Sequence, residues 1–227
     1  MIATYRDIAN RLPDATRLDQ YQLDVTRLDQ FAPVKAALGG RPIDLLVANA
    51  AIAHDPMRLG ALDFEFGRRI LDTNTLGPLR LVETLLDNVK ASEQRKILFV
   101  TSRMGSIASN LSGGHYVYRA SKAGLNAIAR SLAIDLFQHG IIVVMLHPGG
   151  VQTSGGNPKS PLTVAPLLRF VLVSFLTHLA NRGPSSQADP QLRCVAEVGD
   201  GGAAWSAFQV RARLDVVQTS AAHALHV

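Results

Sequence analysis

The chain has 227 residues, 47% hydrophobic and 18% charged, which suits one buried core and excludes a disordered or fibrous chain. Its net charge of +5 comes from basic residues scattered without a run, which argues against a nucleic-acid partner. A single cysteine, Cys194, excludes an internal disulfide framework and any CxxC site, and fits a reducing compartment.

Arg6 and Asp7 interrupt any apolar run that could act as a secretory leader. Tyr21–Val25 has the pattern of a short strand, and Arg27–Leu38 that of a helix stopped by Gly39 and Gly40. Ile43–Ala48 is a continuous apolar run of strand length, as expected in a sheet covered on both faces. Residues 63–90 carry apolar side chains at helical spacing, as two helices meeting near Asn74. Ile97–Val100 is the next strand, Tyr116–Phe137 a long helix closed by Gly140, and Ile141–Leu146 a further strand stopped by Pro148. Strand and helix alternating at this spacing predict an α/β fold with a parallel, doubly wound sheet and crossover helices.

The composition changes near residue 154, where Pro, Gly, Ser and Ala take over. Only 167–179 reads as helix there, and 205–217 could hold a strand. Pro166, Arg169 and His178 break the most apolar stretch, 161–180, so no membrane span is expected and a cytoplasmic protein is. The expected division is a dinucleotide-binding and catalytic core over 1–153 and a lid and tail of the same domain over 154–227. The pentapeptide Thr-Arg-Leu-Asp-Gln occurs at 16–20 and 26–30, an echo too short for a repeat architecture. The histidines lack zinc-ligand spacing, so no metal is expected.

Tyr118-Arg-Ala-Ser-Lys122 puts a phenol and an ammonium one helical turn apart on the same face. A lysine that close stabilises the phenolate and brings its pKa towards the range useful for proton transfer. With four Tyr and five Lys in the chain, chance supplies about 0.1 such pairs, so the context has to decide. That context is the sheet's carboxyl edge, where open α/β sheets bind ligands. Ser102 ends one strand there, Asn49 the preceding one and His147-Pro-Gly the following one, with Asn74 between.

The strings Thr101-Ser-Arg-Met-Gly-Ser-Ile107, Ser112-Gly-Gly114 and Tyr118-Arg-Ala-Ser-Lys122 resemble the short-chain dehydrogenase/reductase family, most of all its C-factor and sniffer-like carbonyl reductases. The resemblance implies a Rossmann-like fold and a nicotinamide-dependent oxidoreductase with a small carbonyl or alcohol substrate, forming a homo-oligomer when the intact fold is present. It implies a catalytic tetrad of Asn74, Ser102, Tyr118 and Lys122. Tyr118 would be the general acid or base, Ser102 would bind the substrate oxygen, and Asn74 would position a water relaying protons to Lys122. Lys122 would lower the Tyr118 pKa and hold the nicotinamide ribose. Cofactor contacts would fall to Asp24 and Val25 at the adenine, Asn49 and Ala50 at its ribose, and Pro148, Gly149 and Thr153 around the nicotinamide, together with Tyr118 and Lys122. Plainer readings stand beside these. Asn49 could brace strands, Asp24 could cap a strand end, Pro148-Gly149 could be a turn, and Ser106 could replace Ser102. Arg6, closing the strand Ile2–Arg6, suits the 2′-phosphate of NADP over NAD, although it could also be a solvated surface arginine.

The family's Gly-rich turn is not found: the first glycine is Gly39, behind the Asp24 strand. The expectation is a core without its first strand–helix unit, in which the order 3-2-1-4-5-6 leaves a seam where strand one belongs. A non-catalytic relative acting through protein contacts is the alternative. A hydrolase is disfavoured because no G-x-S-x-G occurs.

Overall fold

The computed structural model describes residues 1–8, 11, 13, 15–52, 58–148, 151–152 and 162–163. The expected elements 167–179 and 205–217, and Cys194, lie outside the described residues.

Strand β1 (Ile2–Tyr5) pairs in parallel with β2 (Asp19–Gln22), Ile2 opposite Asp19. The expected strand 21–25 is therefore displaced towards the N-terminus. Leu23 still donates its N–H to the Tyr5 carbonyl at 2.9 Å, but the chain then turns. The turn is local chemistry: Asp24 Oδ1 accepts from the Thr26 N–H at 2.9 Å and from its hydroxyl at 2.7 Å. Leu23 and Val25 leave the ladder yet stay buried.

The first turn of the expected helix 27–38 is a 3₁₀ segment, Leu28–Gln30, and α1 proper is Phe31–Leu38. Pro33 falls in its first turn, where a missing N–H costs nothing. Gly39, at φ +54°, ends it. Phe31, Val34 and Leu38 form its buried stripe.

The second sheet holds β3 (Leu45–Ala48), β4 (Lys96–Val100) and β5 (Ile142–Leu146), all parallel, in the order β3-β4-β5. Ile43 does not join β3, because its N–H goes to the Asn88 carbonyl. Alternate side chains divide between two faces. Leu46, Ile97, Phe99, Val143 and Met145 join the main core, while Leu98, Val144 and Leu146 form a second cluster. Both faces of β4 are buried, as its apolar run predicts.

Residues 64–90 are one helical path with a defect. Helix α2 (Phe64–Leu71) is capped by the Asp63 carboxylate, which accepts from the Phe66 N–H. A π-turn at Asp72–Leu76 follows, then α3 (Gly77–Lys90), so the junction lies at Asn74 as expected. Helix α4 (Tyr116–Asp135) stops two residues before Phe137, which opens a 3₁₀ turn closed by Gly140 at φ +67°. α3 packs on β3 and β4, and α4 on β5 and α2. Two two-residue strands, β6 (Val151–Gln152) and β7 (Leu162–Thr163), pair in parallel.

Among the described residues β2 pairs only with β1 and β3 only with β4. The β1-β2 ribbon is joined to the rest through helices rather than through a strand. Arg80 donates to the Val25 carbonyl at 3.1 Å, Arg41 pairs with Asp19 at 2.8 Å, and Ile2 and Tyr21 pack against the main core. The orders β2-β1 and β3-β4-β5 correspond to 3-2 and 4-5-6 of the doubly wound scheme, which puts the place of strand one beside β1. No helix among the described residues is long and apolar enough to cross a membrane.

Candidate active site

Where β4 ends, Thr101 extends the ladder by donating its N–H to the Leu146 carbonyl at 2.8 Å, and its hydroxyl donates to Asn126 Oδ1 of α4 at 2.6 Å. Ser102 comes next and caps the 3₁₀ turn Arg103–Gly105, its Oγ accepting from the Met104 N–H at 3.2 Å. Gly105 then lies directly on the α4 backbone. A Cβ there would sit 2.8 Å from the Lys122 carbonyl carbon and 2.9 Å from Asn126 Nδ2. Only glycine permits that approach, which brings the Ser102 turn against the helix carrying Tyr118 and Lys122.

The Ser102 hydroxyl lies near enough to the Tyr118 phenol to act on its pKa. Burial pushes the Tyr118 pKa above its usual value and the Ser102 hydroxyl opposes the rise. The Lys122 ammonium is turned to the Val100 carbonyl, to which it donates at 2.9 Å, and stands 6.0 Å from the Tyr118 ring centre. Burial of that ammonium lowers its own pKa to about 8. Ser106, the other candidate hydroxyl, accepts from the Ser109 N–H at 3.3 Å and so braces the loop that follows.

Asn74 is fully buried in the π-turn. Its Oδ1 accepts from the Ile52 N–H at 2.7 Å, while its two amide hydrogens go to the Ile52 carbonyl and the Ser121 hydroxyl, both at 3.0 Å. Ser121 in turn donates to the Tyr118 carbonyl at 2.7 Å. Asn74 thus ties the segment after β3 to the turn of α4 between Tyr118 and Lys122. With its oxygen and both its donors engaged, the side chain acts as a brace.

The expected cofactor contacts divide into open and engaged groups. Asn49 and Ala50 are exposed where β3 ends. Val25 is buried against Gly77, whose absent Cβ would lie 2.7 Å from its Cγ2. Asp24 forms the turn with Thr26 described above and lies close enough to Arg6 to act on its charge. Arg6 is exposed just past β1, its Nε donating to Asp7 at 2.8 Å, and that bond raises its pKa. Pro148 is half-buried after β5. Gly149 and Thr153 lie outside the described residues.

A nicotinamide cofactor needs donors at its ribose and open strand ends along its length. Lys122 and the Tyr118 hydroxyl are such donors, and Asn49, Ala50 and Arg6 are exposed at strand ends. The pyrophosphate cradle is different, because Gly39 caps α1 and does not lead a strand into a helix.

Sequence reasoning missed Gly105, Ser121 and Asn126. Ser121 sits inside the Tyr-Arg-Ala-Ser-Lys string and Asn126 one turn beyond Lys122, so the helical spacing held a signal. Gly105 had none, because the need for a missing Cβ arises only when two segments touch.

A family model described as short chain dehydrogenase matches residues 3–161. C-signal of Myxococcus xanthus is 41% identical over 131 residues, 58% of this chain and 79% of that protein. The 1-hydroxy-2-glutathionyl-2-methyl-3-butene dehydrogenase of Rhodococcus sp. (strain AD45) is 38% identical over 132 residues, which span only 58% of its length. Among solved structures, carbonyl reductase Sniffer of D. melanogaster aligns with TM-score 0.68 and 26% identity, over 78% of this chain and 79% of that one. A short-chain dehydrogenase/reductase from Burkholderia multivorans with bound NADP aligns with TM-score 0.69 and 30% identity, over 87% and 84%. The matched residues include β2 to β5 and all four residues of the expected tetrad. The chain therefore belongs to the short-chain dehydrogenase/reductase family of oxidoreductases.

Proposed function

We propose that the protein is an NADP-dependent carbonyl reductase acting on small aldehydes or ketones, and that the same groups serve alcohol oxidation in reverse. The observation that carries this reading is the packing of the Ser102 turn, through Gly105, on the α4 backbone that bears Tyr118 and Lys122 one helical turn apart at the carboxyl edge of the sheet. The bound cofactor supplies the hydride. A Tyr118 pKa raised by burial keeps the phenol protonated at neutral pH, the state a general acid needs. Tyr118 gives that proton to the substrate oxygen as charge develops there, and Ser102 donates a hydrogen bond to the same oxygen. Lys122, with a pKa of about 8, is mainly an ammonium at neutral pH and holds the nicotinamide ribose. Asn74 and Ser121 keep the intervening helical turn in place.

Arg6 supports NADP over NAD, as a 2′-phosphate would replace Asp7 as its partner. Residues 1–153 form the cofactor-binding and catalytic core in this proposal, and 154–227 the lid and tail. It also includes a cytoplasmic location and a homo-oligomer.

The test is Tyr118→Phe, read in this chain fused behind a strand, Gly-rich turn and helix that supply the pyrophosphate site. Ketone reduction should fall at least about a hundredfold, the lower range for general acid catalysis, with NADPH affinity unchanged. Activity within a factor of two of the parent would remove Tyr118 from the mechanism.

A further inference from the structure

The segment 106–115 begins four residues after Ser102 and ends three before Tyr118, so its two ends are set by the hydroxyls of the site. It is braced from within. The Ser109 N–H donates to Ser106 Oγ at 3.3 Å, the Asn110 N–H to the Ile107 carbonyl at 3.2 Å, and the Gly113 N–H to Asn110 Oδ1 at 3.0 Å. Gly113, Gly114 and His115 then follow one another at φ +64°, +64° and +49°. Glycine enters that region freely and histidine seldom, so something must hold the turn.

Arg119 holds it. Its Nε donates to the Gly114 carbonyl at 3.1 Å, and its Nη2 donates to the Gly113 carbonyl at 3.3 Å and to Ser112 Oγ at 3.0 Å. A planar guanidinium fixes several acceptors relative to one another, which a lysine ammonium does not. The braced segment carries Ile107 and Leu111 out into solvent, 87% and 94% exposed. Neither side chain contributes to the core, and both lie on the segment that joins the two reacting hydroxyls.

We propose that residues 106–115 are a preset apolar rim for the substrate and that Arg119 is the positioning residue that holds it. The substrate is then a ketone or aldehyde with an uncharged apolar body. This rests on the reductase reading for the carbonyl, and on the rim alone for the apolar body. Arg103, also exposed beside Ser102, would favour an anion instead and supplies the competing outcome.

The full chain can be tested without turnover. Saturation-transfer NMR with 2-octanone, 2-butanone and the anion 4-oxopentanoate reads binding at the rim. 2-Octanone should bind at least about tenfold more tightly than 2-butanone, as four further CH₂ groups leave water. The double variant Ile107→Ser/Leu111→Ser should abolish the difference, and both positions are too exposed to disturb folding. In Arg119→Lys, amide exchange at residues 113–116 should quicken about tenfold while β4 and β5 keep their rates. Equal binding of the two neutral ketones, tighter binding of the anion, or full retention in the double variant overturns the rim. Unchanged exchange in Arg119→Lys overturns the clamp. Absence of ketone reduction in the fused enzyme, with binding and exchange as stated, overturns the reductase reading and leaves the rim standing.

Discussion

The two sheets differ in depth. In the β3-β4-β5 sheet, β4 is covered on both faces, and the groups at its carboxyl end are held by long-range contacts: Gly105 on the Lys122 backbone, Thr101 on Asn126, Asn74 on Ser121. In the β1-β2 ribbon no ladder residue is fully buried. Arg6 and Asp24 beside it bind near neighbours in sequence, Asp7 and Thr26, and Asp19 of β2 pairs with Arg41 through half-exposed side chains. A deep sheet can orient a reacting group against several elements at once, as general acid chemistry demands. A shallow ribbon leaves its ionic groups to local partners, so a cofactor phosphate must compete with them.

The largest effect should come from removing the difference. A parallel strand added between β1 and β3 would bury about five apolar side chains at about 1.5–3 kcal/mol each, comparable with the whole stability of a domain. Fusing a strand, Gly-rich turn and helix ahead of Met1 should therefore sharpen the melting transition and create NADPH affinity. The 227-residue chain alone should show none at millimolar cofactor. Micromolar NADPH binding by that chain, followed by nicotinamide fluorescence, would break the comparison.

Lys122 probes the deep half through pH. Its folded pKa of about 8 lies below the usual 10.5, so between those values the unfolded chain binds more protons. Stability should therefore rise with pH across that window and be lost as pH falls through about 8, by about 3 kcal/mol at most. Urea titrations of the parent and Lys122→Met at pH 7.5 and 10 isolate the contribution, and parallel curves for the two proteins would refute it.

The smallest effects contrast the halves directly. Gly105→Ala forces a Cβ onto the α4 backbone and should cost about 1–3 kcal/mol, as overpacking does. Arg41→Ala breaks an ion pair to Asp19 whose side chains are half exposed, and should cost less than about 1 kcal/mol. Equal losses in denaturant midpoint would mean that the ribbon is as tightly held as the catalytic half.

The sequence by itself determined the elements of the deep half and the residues at its edge. Ile97–Val100 and Ile142–Leu146 are apolar runs whose length and composition already specify buried strands. The Tyr118–Lys122 spacing places two groups on one helical face wherever that helix packs. Such signals survive because they act within a few residues of the chain. Tertiary structure decided the partners. It turned the Lys122 ammonium to the Val100 carbonyl, tied Asn74 to Ile52 and Ser121, and required a glycine at position 105. Even the end of β2 depended on a balance, because the Asp24–Thr26 turn prevailed over a strand pattern that ran on to Val25. A hydrogen bond forms only between groups brought within about 3 Å, and which distant groups meet at that range is settled by packing between elements.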